Sequence, residues 1–179
     1  YFDYYEHYND RDILIKNHKN NNIEKDCVVA NFAPWGKLIK KDLIEKTHFK
    51  FLENKIFEDI AVIPFLATCA DNPGYLNEPL YYYNMTNHST TRKKTYDKKY
   101  EDIIYVSDYI YHLFKKNNLI DKYYNELQYI FLDSVLKSGV LKFAKYKEGV
   151  KQIPLLRRNV KQKFSKFLNN KYYIENLRL

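Results

Sequence analysis

Little in this chain can bend sharply or cross-link. Its 179 residues include only 4 glycines, 5 prolines, 2 cysteines, 1 methionine and 1 tryptophan. Cys27 and Cys69 stand apart with no CxxC spacing. That excludes a disulfide framework and favours a reducing compartment, where the N-x-S/T matches at Asn84 and Asn87 carry no weight. No apolar run reaches the ~18–20 residues of a membrane span. The longest, 60–70, is interrupted by Pro64. The residues following Tyr1 read as neither signal nor transit peptide, so a processed or partial chain is expected. There is no internal repeat and no sustained heptad pattern.

What is abundant is aromatic and basic. The chain holds 19 tyrosines and 11 phenylalanines, enough for a sizeable core. Its formal net charge of +8 is uneven: residues 1–95 balance 13 basic against 13 acidic side chains, whereas 96–179 hold 17 and 9. Within 137–171 there are 11 basic residues and a single acid, Glu148.

Along the chain, 4–15 has helical character, and the β-branched run 27–32 reads as a short buried strand. Turn chemistry follows at Pro34-Trp35-Gly36, then a short helix over 40–46 and an irregular stretch over 49–55. Residues 58–70 read as a helix with Ile60, Ile63, Ala67 and Ala70 on one stripe, its acids in the first turn and Pro64 as a potential kink. Residues 75–76 and 80–83 read as extended around Pro79, an edge position. Beyond Tyr96 the pattern is helical. Tyr100, Ile103, Ile104, Ser107, Tyr111 and Phe114 form one stripe, and Tyr123, Leu127, Ile130, Phe131 and Ser134 the next. Asn117-Asn118 separates them, which implies an antiparallel pair. A third stripe, Leu156, Val160, Phe164, Phe167 and Leu168, follows Pro154.

The residues suited to chemistry are few. Glu58 and Asp59 open a helix, where the dipole stabilises a carboxylate by roughly 0.3–1 kcal/mol and helps keep a general base deprotonated. The same acids can simply complement that dipole. Lys37, after Trp35-Gly36, can hold a phosphate or carboxylate as a point charge, or be a solvated lysine beside a core tryptophan. His88-Ser89 supplies donors for an anionic ligand, or is an ordinary loop.

Taken in order, Trp35-Gly36-Lys37-Leu38, Phe51-Leu52-Glu53-Asn54, Glu58-Asp59-Ile60, Glu78-Pro79-Leu80-Tyr81-Tyr82-Tyr83 and His88-Ser89-Thr90-Thr91 resemble the C-terminal half of bacterial family 2 glycosyltransferases. The resemblance covers about 33–92, with a looser likeness at Asn170-Lys171-Tyr172-Tyr173. It implies a GT-A fold whose N-terminal half binds a nucleotide-sugar and a divalent metal (Mn or Mg) through an Asp-x-Asp motif. It also implies that Asp59 is the catalytic base, supported by Glu58, with Lys37 and Trp35 near the substrate cleft and His88 and Ser89 near the donor diphosphate. The chain departs from the family at Asn84, where an arginine commonly follows the tyrosine run. Asp10-Arg11-Asp12 fits Asp-x-Asp only literally, since no buried strand precedes it, so the metal ligands are expected mostly outside this chain.

The expected fold is therefore α+β but mainly α. Residues 1–95 form the C-terminal part of a GT-A-like domain with a few short strands, and 96–179 form a basic, antiparallel helical subdomain. The expected function is inverting transfer from a nucleotide-sugar to a glycan or lipid-linked acceptor in surface polysaccharide or lipopolysaccharide synthesis, in the cytoplasm or peripherally on the inner face of the membrane. The basic face of Lys151, Arg157, Arg158, Lys161 and Lys166 suits an anionic bilayer or a solvated helix surface. No helix-turn-helix, RRM or zinc signature points to nucleic acid. The competing class is a non-catalytic basic helical module that binds an anionic membrane or a protein partner.

Overall fold

The computed structural model describes residues 22–30, 32–37, 39–71, 73, 82, 84, 95–166 and 169–177. Within them the architecture is helical: α1 (Ile23–Val29), α2 (Lys41–Thr47), α3 (Glu58–Thr68), a 3₁₀ turn (Lys98–Glu101), α4 (Asp102–Lys116), α5 (Tyr124–Ile130), a π-wound segment (Phe131–Lys137), α6 (Ser138–Phe143), α7 (Lys147–Val150), α8 (Ile153–Lys163) and α9 (Lys171–Leu177). No strand occurs among the described residues. The expected extended segments at 75–76 and 80–83 fall outside them, apart from a fully exposed Tyr82, as does the helical character at 4–15.

The strand expected over 27–32 is corrected: Cys27, Val28 and Val29 belong to α1. Their β-branched character is overridden by tertiary packing, because Val28 is completely buried and α1 lies against both α3 and α5. Glu24 and Asp26 in the first turn suit the positive end of a helix. The helix over 40–46 is found as α2, ended by His48 in a left-handed conformation with its amide donating to the Glu45 carbonyl.

α3 is the centre of the fold. Every residue from Ile60 to Leu66 is buried, so the helix is apolar all round rather than striped. Pro64 sits inside it and is itself buried. One face of α3 meets α1 and another meets α4, with Phe65 edge-on to Phe114 at 6.5 Å between ring centroids. A single hydrophobic core thus joins Val28 and the α3 residues to Tyr100, Ile103, Phe114, Tyr123 and Phe131.

Beyond Tyr96 the described residues are helical as expected, but the stripe shifts in α4, where Val106 and Ile110 are fully buried and Ile104 and Tyr111 only partly so. Phe167 and Leu168 lie outside the described residues. α4 buries Ile103, Val106, Ser107, Ile110 and Phe114. The separating asparagines close it: Asn118 adopts a left-handed conformation (φ 57°), and the Leu119 amide reaches back to the Phe114 carbonyl at 2.9 Å. The following stripe holds through Phe131, then shifts. Val135, not Ser134, is the next fully buried residue, because the segment is wound i→i+5. α8 begins with Pro154 in its first turn and buries Leu156 and Val160, followed by Phe164 just beyond it. A polar network fastens α8 to α4: Ser107 donates to Asn159, and both Asn159 and Lys163 donate to Asp108.

Two glycines test this packing. A Cβ on Gly149 would lie 2.5 Å from the Phe143 carbonyl oxygen and 2.9 Å from its Cα, backbone atoms that cannot swing aside. A Cβ on Gly139 would meet only the tip of Leu156, at 2.7 Å. Thermal unfolding is expected to show Gly149→Ala destabilised by ~1–3 kcal/mol, and Gly139→Ala by less because a leucine tip can rotate. The reverse order would contradict the α6–α7 packing.

Candidate functional site

The start of α3 is set by the segment before it and by α4. The residue before it, Phe57, is held at φ 66°. That conformation is uncommon for a residue with a bulky side chain and stores of order 1–3 kcal/mol. Packing holds the strain, because Phe57 is partly buried against the core. The segment leading to it is anchored from α4: Asp102 accepts from the Lys55 ammonium at 2.8 Å and from the Ile56 amide at 3.3 Å. The entry to α3 is therefore built, with the acidic pair immediately after the strained residue.

Asp59 is partly buried, and its Oδ1 accepts from the Ile60 amide at 2.9 Å. Burial is the largest influence on its carboxyl and pushes the pKa upward, assisted by the neighbouring Glu58 charge. The amide hydrogen bonds and Lys37 pull the other way without overcoming it. The sequence expectation that the helix terminus keeps Asp59 easily ionised is thus modified. Desolvation makes it a stronger proton acceptor than an exposed aspartate.

Lys37 comes from the turn before α2. Gly36 makes that turn with φ +69°, a left-handed conformation that glycine adopts without strain. The Lys37 ammonium donates to the Ala33 carbonyl at 2.8 Å, which folds the side chain back over its own turn. Burial lowers its pKa, while Cys27 and Asp59 favour its charge. The Cys27 thiol is in turn pushed up, first by burial and then by Asp26, with Lys37 opposing. Lys37 therefore shares one electrostatic environment with Asp59 and Cys27, although it forms no direct ion pair with Asp59 among the described residues. Such a cluster can take a proton at Asp59 and attract a negative group at Lys37.

Of the expected site residues, Lys37, Glu58 and Asp59 are brought together. Trp35 is partly buried in the Gly36 turn. His88 and Ser89 lie outside the described residues. Sequence reasoning missed Cys27 and Phe57. The signal for Cys27 was the pair Glu24 and Asp26, which mark a helix start rather than a strand.

Among the described residues no group of three or more His, Cys, Asp or Glu side chains could hold a metal ion. No described helix is long and apolar enough to cross a membrane. Comparison with protein-family models, curated proteins and solved structures gives no match for this chain.

Proposed function

We propose that this chain is the acceptor-side portion of an inverting glycosyltransferase that uses a nucleotide-sugar donor. The observation that carries the reading is the convergence of a burial-raised Asp59 with Lys37 at the strained entry to α3. The order of segments resembling family 2 glycosyltransferases supports it. Asp59 accepts the proton of an acceptor hydroxyl, whose oxygen attacks the anomeric carbon as the nucleoside diphosphate departs from the opposite face. The product carries inverted configuration. Glu58 holds up the basicity of Asp59 through like charge. Lys37 and Trp35 contact substrate, and His88 and Ser89 approach the diphosphate.

A divalent metal belongs to this reading as a partner of the diphosphate. The described residues do not fit one, so none of these steps is routed through it. The acceptor is a glycan or lipid-linked saccharide, and the enzyme works in the cytoplasm or on the inner membrane face.

The test is a donor screen on a protein that carries these residues together with a nucleotide-binding half, with and without Mn²⁺. It reads nucleoside diphosphate release and, by NMR, the anomeric configuration of the product. Transfer with inversion is expected, and none from the 179 residues alone. A robust rate from the isolated chain, or retained configuration, overturns the proposal.

A further inference from the structure

α8 has two faces of opposite character. Leu156 and Val160 point into the core, with Phe164 just beyond the helix end. That apolar stripe is consumed inside the protein and is not free to lie on a bilayer. Arg157, Arg158 and Lys161 point outward and are exposed. Arg157 and Lys161 are one turn apart, so their like charges repel.

The carboxylates of Asp108 and Asp133 are engaged elsewhere. Asp108 holds Lys163 at 2.5 Å, and Asp133 holds Lys137 at 2.7 Å. Glu148, the one acid within 137–171, forms no ion pair with Arg157, Arg158 or Lys161 among the described residues. Among the described residues, Arg157, Arg158 and Lys161 form no ion pair or side-chain hydrogen bond. These three residues, with Leu136 and Val160, line an open recess of about 380 Å³ between α8 and the π-wound segment. It shares no residue with the Asp59 cluster.

We propose that this recess binds a phosphate monoester. Two guanidinium forks and an ammonium offer more donors than a carboxylate's two oxygens can use. A phosphomonoester presents three acceptor oxygens and a charge of about −1.5 to −2 near neutral pH. The walls from Leu136 and Val160 are apolar, and Leu155, one turn before Arg158, is 47% exposed at the surface. A phosphate attached to an apolar carrier fits that combination. The same chemistry can come from a lipid headgroup or from a soluble phosphate.

The experiment uses the whole chain and two probes. The first is phosphatidylcholine vesicles containing phosphatidate, compared with vesicles containing phosphatidylglycerol at matched surface charge. The second is inorganic phosphate, followed through the arginine side-chain NMR signals. Arg157→Ala/Arg158→Ala is compared with Lys115→Ala/Lys116→Ala, which removes equal charge from exposed positions at the end of α4. The arginine pair is expected to lose about tenfold in binding, and the lysine pair much less. Selective phosphatidate binding that depends on the arginines supports a lipid source. Arginine-dependent binding of inorganic phosphate without vesicle binding supports a soluble one. Equal losses in the two variants, equal binding of phosphatidylglycerol, or no binding of either probe overturns the proposal. Asp59 takes part in none of these readouts, so their outcome is separable from that of the sugar-transfer reading.

Discussion

Asp59→Asn is expected to lower kcat by roughly 10²–10⁴-fold in a protein that carries the nucleotide-binding half, with donor affinity nearly unchanged. The amide keeps the shape of the side chain and can still accept from the Ile60 amide, but it cannot take a proton. A variant that retains most of its activity removes Asp59 from the base role.

The same substitution has a second expected effect, of opposite sign, on stability. Burial raises the Asp59 pKa in the folded chain above its ordinary value of 3.8. The folded state therefore favours the protonated form more than the unfolded state does. The stability this contributes is present below the ordinary value and is lost as pH rises through the elevated folded value. At neutral pH the ionised, partly buried carboxylate destabilises the fold, and asparagine removes that charge. Asp59→Asn should unfold at a higher Tm than the parent at pH 7, and the difference should vanish as pH falls below 3.8. A residue whose loss stabilises the fold while abolishing turnover is retained for chemistry.

Phe114→Ala is expected to lose ~3–5 kcal/mol, a large part of a typical domain's stability. Phe114 is completely buried and meets Phe65 on α3 and Tyr123, which precedes α5, at 6.5 and 6.4 Å between ring centroids. Truncation opens a cavity where the acid-bearing helix meets the helical region. Chain length sets a Tm shift on the order of 10 °C for such a loss. A change below about 1 kcal/mol, typical of exposed sites, would show that α3 is not held from α4. Because Asp102 also anchors the segment before α3, the position of Asp59 depends on α4 through two contacts, one apolar and one ionic.

How much of this was legible depended on the range of the interaction. The helix from 102 to 116 was legible because a long amphipathic helix repeats its pattern over several turns, although its buried face runs through Val106 and Ile110 rather than Ile104 and Tyr111. The start of α3 was legible because two acids precede a long apolar run. α1 was misread as a strand: seven residues carry too little periodicity, and Cys27-Val28-Val29 has strand propensity that packing against α3 and α5 overrides. The shift from Ser134 to Val135 was invisible because residue spacing assumes i→i+4 winding, and the segment is wound wider. At the site, Lys37 and Asp59 were each visible as candidates. Their shared environment with Cys27 was not, since it arises from tertiary contact across three elements. Phe57 ran against propensity altogether, because nothing local favours a left-handed phenylalanine.

Carboxyl-carbon NMR titration of Asp59 in the 179-residue chain, repeated with Lys37→Met, tests the central claim most directly. A partly buried aspartate within reach of the Lys37 charge predicts a midpoint above 3.8 that climbs further when the lysine charge is removed. A midpoint at or below 3.8 that Lys37→Met leaves in place contradicts both the desolvation of Asp59 and its coupling to the Lys37 charge.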